Sequence, residues 1–389
     1  MEITLQDEKF MRRALDLARE GIGLTSPNPA VGAVIVDAKG QVAGSDFHTY
    51  AGVKHAEVLA IEQAGERSRG ATLYLNLEPC SHHGRTGPCA EAVIAAGIRR
   101  VFASIQDPNP EVSGRGFQRL REAGIDVHVG LEAEKAKQLN EAFAKYVRTK
   151  LPLVILKAGM TLDGKIAPPP EENAVSAPGA GGSSGGWITS EEARTHVQQL
   201  RHASDAIMVG VGTVLADDPL LTDRTGLPRR RRLLRVILDS RLRLPLESKV
   251  AQSAADHEDV LVFCSFPDEK RKAELQAHGI RVEQVPLAWP DGRPDMHRAM
   301  KRLGDLAITS VLVEGGAMVN WAVLEGRLVD KVFLYYAPKI LAGTGSVPFA
   351  GGRGFSNMQE AAYVKRFRLH RFGEDFAVEG YLRDPYGEE

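Results

Sequence analysis

Side chains that can bind a metal lie close together in the first half of the sequence. His55 opens the segment His55-Ala-Glu57, and Cys80 and Cys89 follow, which gives one imidazole and two thiolates. Three protein ligands leave the fourth position of a tetrahedral zinc ion open to water, as in catalytic rather than structural zinc sites. Zinc lowers the pKa of such a water, and Glu57 is near enough to take its proton and return protons to leaving ammonia. The pattern predicts hydrolytic deamination of an amidine-like ring carbon.

The order of these residues resembles the signature of zinc nucleobase deaminases, in which His-x-Glu is followed by Pro-Cys and a further cysteine. All three candidate ligands are predicted to lie at or just before the start of a helix, where the helix dipole favours a thiolate. The alternative interpretation is a buried structural histidine with two unreactive core thiols.

The segment between the two cysteines is unusually long. Eight residues, Ser-His-His-Gly-Arg-Thr-Gly-Pro, separate Cys80 from Cys89, whereas the transfer-RNA and cytidine deaminases have Cys-x-x-Cys. We interpret this insertion as a substrate loop in which Arg85 can hold a phosphate through two hydrogen bonds. His82 and His83 are equally consistent with solvated loop histidines.

Alternating helices and strands are predicted to position these ligands over the first 150 residues. A first helix is predicted to begin with Asp7 as its cap and to end at Gly21. Further helices are predicted over residues 55–64, 88–97, 117–123 and 133–147, and strands over residues 31–36, 72–77, 101–105 and 125–129. This alternation predicts a sheet covered by helices.

A second domain is predicted to begin near residues 149–151, where the apolar run LPLVILK follows the last of these helices. Residues 168–186 are rich in Pro, Gly and Ser, which predicts a flexible loop inside this domain. Strands are predicted over residues 206–210, 235–239, 260–264, 310–314 and 331–337, and helices near residues 190–202, 295–304 and 317–326. Gly315-Gly316, between a strand and a helix, suits a cofactor phosphate, although such a pair is more often only a tight turn.

Composition limits the class of protein. A chain of 389 residues is long enough for two domains, and 49 Lys and Arg against 50 Asp and Glu give a net charge of −1. This balance does not favour nucleic acid or an anionic membrane as a partner, and no apolar stretch is long enough to span a bilayer. Three cysteines and an N-terminus without a signal-peptide pattern predict a cytoplasmic protein. The run Arg229–Arg232 could be a nucleic-acid patch, but because the net charge is near zero and Pro228 precedes it, we interpret it as a solvated loop and assign it no function.

Motifs along nearly the whole chain resemble, in order, the bifunctional riboflavin-biosynthesis deaminase/reductase family. The matching stretches are Pro27-Asn-Pro-Ala-Val-Gly32, residues 48–57, Leu77-Glu-Pro-Cys-Ser-His-His-Gly84, Gln106-Asp-Pro-Asn-Pro110, Leu162-Asp-Gly164, Trp187-Ile-Thr, Leu215-Ala-Asp-Asp-Pro219 and Val313-Glu-Gly-Gly316. The resemblance implies an α/β protein with a cytidine-deaminase-like three-layer domain and mixed sheet over residues 1–149. It implies a dihydrofolate-reductase-like α/β domain over residues 150–389. One zinc ion, NADPH and a homo-oligomer are also implied.

The resemblance implies deamination of a diaminopyrimidinone that carries a ribosylamino phosphate, and then NADPH-dependent reduction of the ribosyl to a ribityl chain. His55, Cys80 and Cys89 would bind zinc and Glu57 would shuttle protons. Substrate contacts are implied at Asn28, His48, Arg85, Arg201, Leu221, Arg224 and Glu314. NADP contacts are implied at Gly159, Trp187, Thr213, Asp217, Ser240, Gly316, Ala317, Met318, Val319, Asn320, Trp321 and Ala322.

Several of these positions have a second interpretation. Asn28 lies in a Ser-Pro-Asn-Pro turn, where an asparagine is often structural. Asp217 is our candidate for proton handling during reduction, although an Asp-Asp-Pro turn with structural hydrogen bonds is about equally consistent with the sequence. Lys157, after a predicted strand, is added as a candidate for polarising the substrate. Gly185 stands where the family commonly has a serine.

Two other functions fit parts of the pattern. A nucleic-acid or nucleoside deaminase with an accessory domain would need a basic channel with stacking aromatics, and 6% aromatic residues with a neutral charge count against it. A zinc-stabilised binding module without catalysis is the third interpretation. Glu57 separates it from an enzyme, because a structural zinc ion does not require that carboxylate.

Overall fold

The computed structural model describes residues 3–81, 87–169, 186–288 and 292–387. The chain forms two compact units, one of Met1–Lys150 with Pro228–Arg231, the other of Leu151–Leu227 with Arg232–Glu389. Arg85, Gly185 and most of the predicted loop at residues 168–186 lie outside the described residues. Among the described residues, no helix has both the length and the apolar character needed to cross a membrane.

The first unit contains a mixed five-stranded sheet. Its strands are β1 (Gly32–Val36), β2 (Val42–Phe47), β3 (Thr72–Leu77), β4 (Arg100–Ile105) and β5 (Asp126–Val129), in the order β2-β1-β3-β4-β5. Strand β1 is antiparallel to β2 and β3, whereas β3, β4 and β5 are parallel. The described helices are α1 (Leu5–Glu20), α2 (Ala56–Ala64), α3 (Cys89–Ala95), α4 (Arg115–Glu122), α5 (Ala133–Leu139) and α6 (Glu141–Thr149), with a 3-10 turn at Gly65–Ser68.

Two glycines allow helices to pack closely on opposite faces of this sheet. A Cβ on Gly32 would lie 2.2 Å from the carbonyl oxygen of Ala14 in α1, and one on Gly44 would lie 2.2 Å from that of Ala60 in α2. Gly44 on β2 pairs with Ile35 on β1, so these two residues share a face of the sheet. Because Ile35 is three residues from Gly32 and successive residues alternate between faces, Gly32 and Gly44 face opposite sides. The unit is therefore a three-layer structure with the sheet in the middle.

Two helix predictions in this unit are corrected by the structure. The N-cap of α1 is Thr4 rather than Asp7. Asp7 is the third residue of the helix and completes a capping box with Thr4. Its buried carboxylate also accepts a hydrogen bond from the Tyr74 hydroxyl at 2.6 Å. The long helix predicted over residues 133–147 is interrupted at Asn140, because the carboxamide of this residue bonds the backbone of Ala30 at 2.8 and 3.1 Å. Strand β2 was missed altogether.

Residues 228–231 are counted with the first unit because of specific contacts. The backbone N–H of Arg230 donates to Gly23 O at 2.8 Å, and its guanidinium lies 3.6 Å from the ring centroid of Tyr50. Arg230 is nevertheless exposed and lies in a bend, in keeping with the interpretation of this run as a solvated loop.

The second unit is built around a nine-stranded sheet. The described strands of this unit are β6 (Leu153–Thr161), β7 (Lys165–Ala167), β8 (Ala206–Gly210), β9 (Leu234–Leu238), β10 (Val260–Cys264), β11 (Arg281–Gln284), β12 (Leu287–Ala288), β13 (Arg293–Pro294), β14 (Ser310–Val313), β15 (Lys331–Ala337), β16 (Val347–Pro348), β17 (Lys365–Phe372) and β18 (Asp375–Tyr381). Among them, β12 with β13 and β7 with β16 form two separate two-stranded sheets. Its described helices are α7 (Glu191–Ala203), α8 (Val211–Asp217), α9 (Lys249–Gln252), α10 (Glu269–Ala277), α11 (Met296–Asp305) and α12 (Ala317–Glu325).

The strands of this sheet follow the order β11-β10-β9-β8-β14-β6-β15-β18-β17. All neighbours from β11 to β15 are parallel, and the hairpin β17–β18 adds two antiparallel strands at one edge. Alternate residues of β8, β9 and β10 enter two different apolar clusters, so both faces of the sheet are covered. This explains why the apolar runs that the sequence showed are continuous rather than alternating.

Candidate zinc site and candidate reductase site

The three predicted metal ligands converge in the first unit. His55 is the N-cap residue of α2, Cys89 is the first residue of α3, and Cys80 lies just beyond the end of β3. The Nδ1 atom of His55 lies 3.1 Å from Cys89 Sγ and 3.6 Å from Cys80 Sγ, and one ligand atom from each residue lies within 4.8 Å of the others. The donor set and its spacing fit one zinc ion.

Cys80 corrects the prediction that all three ligands lie at helix starts. It lies in the segment between β3 and α3, but its sulfur accepts from the backbone N–H of Cys89 in the first turn of α3, at 3.3 Å. The Cys89 thiol donates to the Cys80 sulfur, which lowers the pKa of Cys80 to about 4 and raises the pKa of Cys89, with burial adding to the latter. The backbone N–H of Cys89 at the start of α3 also favours a thiolate at Cys80.

Glu57 lies in the first turn of α2, beside the ligands. The residue is 3% exposed, and its Oε2 atom has no hydrogen-bond partner among the described residues. Burial raises the pKa of Glu57 to about 7. A buried carboxyl group with an unoccupied oxygen next to a metal cluster is suited to move protons, and this role of Glu57 stays a prediction.

His48 and Asn28 lie against the same cluster. The His48 ring lies edge-on to that of His55, with centroids 5.1 Å apart. Asn28 Nδ2 lies 3.1 Å from His48 Nε2, and His48 Nδ1 lies 3.0 Å from the Lys54 carbonyl. A neutral imidazole protonated on Nδ1 satisfies both contacts. Arg85, the predicted phosphate ligand, lies outside the described residues.

In the second unit, several predicted cofactor residues lie along one edge of the sheet. Ser240 follows β9, Thr213 lies in α8 after β8, Gly316 follows β14, and Gly159 lies near the end of β6. Strands β9, β8, β14 and β6 are neighbours and parallel, so their carboxyl-terminal ends lie side by side at the same end of the sheet. Ligands of open α/β sheets commonly bind at such an edge.

Two helix starts meet at this edge. Gly210 is the N-cap of α8 and Gly316 that of α12, and a Cβ on Gly316 would lie 3.5 Å from Thr213 Oγ1. A Cβ on Gly315 would lie 2.5 Å from the Val319 Cβ, so the turn passes too close to α12 for a side chain. Gly315 and Gly316 are partly exposed, and the start of α12 beside them offers backbone N–H groups of the kind that bind phosphate.

The remaining predicted residues of α12 have different environments. Asn320 is fully buried; its Nδ2 donates to Phe349 O at 2.7 Å, while its Oδ1 has no partner among the described residues. The Trp321 ring packs edge-on against Phe355, with centroids 5.1 Å apart. Met318 is half-exposed, and its carbonyl accepts from Arg293 at 3.3 Å. The segment Ala317–Ala322 thus combines one unsatisfied polar atom with structural contacts.

Lys157, Arg201 and Glu314 form a partly buried charge cluster. Glu314 accepts from Arg201 at 2.7 and 3.1 Å and from Lys157 at 3.3 Å. The parallel register of β6 and β14, in which Leu156 pairs with Val313, brings the lysine and the carboxylate together. Burial opposes ionisation of Glu314, but the two cations outweigh it and lower its pKa to about 2. Glu314 is thus held by two cations, and Asp223 also acts on Arg201.

The predicted contacts Leu221 and Arg224 lie in a loop that α7 holds in place. Arg201 donates to Thr222 O at 3.0 Å, and His202 Nδ1 lies 2.9 Å from Asp223 Oδ2. Leu221 is buried with a φ of 56°, which is strained for a leucine. Arg224 itself is exposed, and its backbone N–H donates to Gln198 at 3.0 Å.

Trp187 and Asp217 are also exposed, although burial of its carboxyl group raises the pKa of Asp217. Trp187 is 69% exposed, with the Arg194 guanidinium 4.7 Å from its ring centroid. Asp217 is the last residue of α8 and is exposed. Their contacts with a cofactor remain predictions. One buried residue beside the zinc ligands, Glu78, was assigned no role from the sequence, although a carboxylate directly after a buried strand was a usable signal.

Fold and site together define a protein in which a zinc-binding deaminase domain precedes a reductase domain. The family model of the cytidine and deoxycytidylate deaminase zinc-binding region matches residues 4–105, and that of the RibD C-terminal domain matches residues 152–378. The chain belongs to the RibD family of riboflavin-biosynthesis proteins.

Individual relatives cover both units. The chain is 40% identical over 382 residues to the riboflavin biosynthesis protein RibD of Actinobacillus pleuropneumoniae, covering 98% of this chain and 97% of that protein. It is 40% identical over 385 residues to the RibD protein of Escherichia coli, and the match covers 96% of this chain and 99% of that protein. Among solved structures, Acinetobacter baumannii RibD is similar with a TM-score of 0.80 and 35% identity, covering 97% and 98%.

A Thermotoga maritima structure is similar with a TM-score of 0.77 and 37% identity, covering 97% of this chain and 98% of that one. That protein is a diaminohydroxyphosphoribosylaminopyrimidine deaminase/5-amino-6-(5-phosphoribosylamino)uracil reductase. The likeness therefore extends over both units in one chain.

Proposed function

We propose that this chain carries out two consecutive steps of riboflavin biosynthesis. Residues 1–149 would remove ammonia from a diaminopyrimidinone with a ribosylamino phosphate, and residues 150–389 would reduce the ribosyl group with NADPH. The observation that carries the proposal is the convergence of His55, Cys80 and Cys89 beside the buried Glu57. The near-complete coverage of RibD relatives supports the pairing with a reductase.

In the first unit, bound zinc would supply an activated water for attack on the ring carbon. Glu57 would take a proton and deliver it to the departing nitrogen, and its pKa of about 7 suits both transfers. His48 and Asn28 would orient the ring, since they lie beside His55 and each carries hydrogen-bonding atoms. Arg85 would hold the phosphate.

In the second unit, NADPH would supply the hydride. The turn at Gly315-Gly316 and the start of α12 would hold a phosphate of the cofactor through backbone N–H groups. Gly159, Thr213 and Ser240 would line the same edge. Lys157 and Arg201 would present positive charge to the substrate, with Glu314 fixing both. Asp217 would handle a proton, and Leu221 and Arg224 would contact substrate.

Finer points of the proposal rest on the sequence. We expect a cytoplasmic homo-oligomer that does not bind nucleic acid, because the family resemblance implies oligomers and the net charge of −1 gives no general attraction for polyanions. Small-molecule pyrimidine phosphates are the expected substrates.

The test is one assay with two signals. Purified, zinc-loaded protein is given the diaminopyrimidinone substrate and NADPH, and ammonia release and NADPH oxidation are followed together. Ammonia release followed by stoichiometric NADPH consumption is expected. Ammonia without NADPH loss would refute the role given to residues 150–389, and the absence of both signals would favour a nucleic-acid deaminase or a zinc-stabilised binding module.

A further inference from the structure

Glu78 is a buried carboxylate that the proposed deamination does not use. It follows β3 directly, precedes Pro79 and Cys80, and is 3% exposed. Its two oxygens accept four backbone hydrogen bonds. Oε2 accepts from Asp107 N at 3.0 Å and Gly114 N at 2.9 Å, and Oε1 accepts from Gly116 N at 2.8 Å and Phe117 N at 3.3 Å.

All four donors belong to the loop after β4 or to the start of α4. Gly114 is the N-cap of α4, and Gly116 and Phe117 lie in its first turn, whose N–H groups have no partner within the helix. An ionised carboxylate accepts on both oxygens and carries the charge that a helix N-terminus favours. One side chain therefore ties residues 107–117 to the segment that carries Cys80.

The contact between these segments is too close for a side chain. A Cβ on Gly116 would lie 2.0 Å from the Pro79 carbonyl oxygen. On its other side, Cys80 is held by α3, because its carbonyl accepts from Ala90 N at 3.1 Å and its sulfur from Cys89 N at 3.3 Å. Cys80 is thus fixed between the first turns of two helices, and Glu78 supplies one of the two attachments.

We propose that Glu78 is a positioning residue of the zinc site, which fixes the Cys80 sulfur by anchoring residues 107–117 against Pro79. The inference rests on the proposed zinc-dependent deamination, but it concerns retention of the metal as well as the reaction rate. Glu78→Gln would leave one accepting oxygen and turn an NH2 group toward two backbone donors. The segment carrying Cys80 would then lose its fixed position while all three zinc ligands remain.

The test compares Glu78→Gln and Gly116→Ala with a control, Glu111→Gln. Glu111 is exposed in the same loop, so the control makes the same chemical change without removing the four hydrogen bonds. For each full-length protein, transfer of bound zinc to excess chromogenic chelator is timed at a temperature where circular dichroism shows it folded. The kcat and KM for ammonia release are then measured at full zinc occupancy, and NADPH oxidation with deaminated substrate serves as an internal check on the other unit.

We expect both variants to lose zinc at least about tenfold faster than the control, since groups that orient metal ligands typically change metal affinity by 10–100-fold. The kcat for ammonia release should fall about tenfold with KM within about twofold, and NADPH oxidation should not change. If the folded variants release zinc at a rate within twofold of the control rate, the proposal is overturned. If Glu78→Gln does not fold, Gly116→Ala decides, because it keeps the carboxylate and displaces only the loop.

The failure of the proposed function is a separate outcome. A wild-type chain that binds zinc but releases no ammonia would refute the deamination, whereas the zinc-transfer comparison would still confirm or overturn the role of Glu78.

Discussion

At the scale of single residues, Glu57 combines two properties that are rarely found together without a function. The carboxyl group is almost completely buried, and one of its oxygens has no partner among the described residues. A buried polar atom without a partner costs about 1–3 kcal/mol of stability, so its place beside three metal ligands needs a compensating role. Proton transfer at the zinc site is such a role.

Glu57→Gln tests this role directly, because the amide keeps the shape of the side chain but cannot accept a proton at neutral pH. Ammonia release should fall by a factor of at least about 100, as expected when a general acid–base group is lost. Zinc content, measured by mass spectrometry of the metal, should stay at one ion per chain. An unchanged rate of ammonia release would contradict the mechanism.

Glu314 allows a prediction about pH. Its pKa is lowered to about 2 by Lys157 and Arg201, so its folded-state carboxylate stays charged while the unfolded chain takes up a proton near pH 4.3. The stability that it contributes is complete above the unfolded pKa and is lost as the pH falls toward about 2. Glu314→Gln should cost about 3 kcal/mol at pH 7, because two partly buried cations lose their partner.

The free energy of unfolding should be measured by urea titration of wild type and Glu314→Gln at pH 7 and pH 3.5. All three tryptophans belong to residues 151–389, so their fluorescence reports the second unit. The stability difference between the two proteins should narrow by about 1 kcal/mol at the lower pH. A constant difference would mean that the pKa of Glu314 is not lowered.

Residue types with distinctive chemistry were predictable from the sequence, and residues that act through backbone contacts were not. His55, Cys80 and Cys89 meet as the spacing predicted, because few other residues can bind zinc. The pairing of Lys157 with Glu314 was not foreseen, since it depends on the register of β6 with β14. Glu78 was missed because the sequence does not show which backbone N–H groups its carboxylate accepts from, although its position directly after a buried strand was a usable signal.

At the scale of elements, the buried parallel strands were predicted most accurately. Strands covered on both faces are continuous apolar runs, which are easy to delimit in a sequence. The predicted bounds therefore agree with the structure for Thr72–Leu77, Ala206–Gly210, Val260–Cys264 and Lys331–Ala337. The hairpin β17–β18 was missed because most of β17 is exposed and its sequence, KRFRLHRF, mixes charged with apolar residues. Strand β2 was missed for a similar reason, since VAGSDF contains few apolar residues.

The turn from β14 into α12 is an element whose geometry can be tested. Gly315→Ala would place a methyl group 2.5 Å from the Val319 Cβ, and forcing the helix away should cost about 1–3 kcal/mol of unfolding free energy. The KM for NADPH should rise as well, since the turn is proposed to hold a cofactor phosphate.

Gly212→Ala is the matched control for this stability measurement. A Cβ there meets no atom within 4 Å, and Gly212 lies in α8 without a positive φ, so alanine should be neutral or slightly stabilising. Tryptophan fluorescence during urea unfolding compares the two variants. Equal stability of Gly315→Ala and wild type would show that α12 can shift without cost.

At the scale of the whole molecule, the residues proposed for the two reactions are separated along the chain. The zinc ligands and Glu57 belong to the unit that contains Met1–Lys150, whereas the proposed cofactor and substrate residues of the reductase belong to the unit that contains Leu151–Leu227 and Arg232–Glu389. Each unit has its own sheet and its own helices. Because a domain has its own hydrophobic core and can in principle fold alone, we expect each unit to hold its own active site.

Metal removal should therefore affect one activity and spare the other. Dialysis against a chelator should abolish ammonia release, because none of the candidate groups replaces the activated water that zinc supplies. NADPH oxidation with the already deaminated substrate should stay within about twofold of the untreated protein, since no proposed reductase residue is a metal ligand. Adding back zinc should restore ammonia release and leave the second activity unchanged, whereas parallel loss of both activities would show that the reductase unit also depends on the metal.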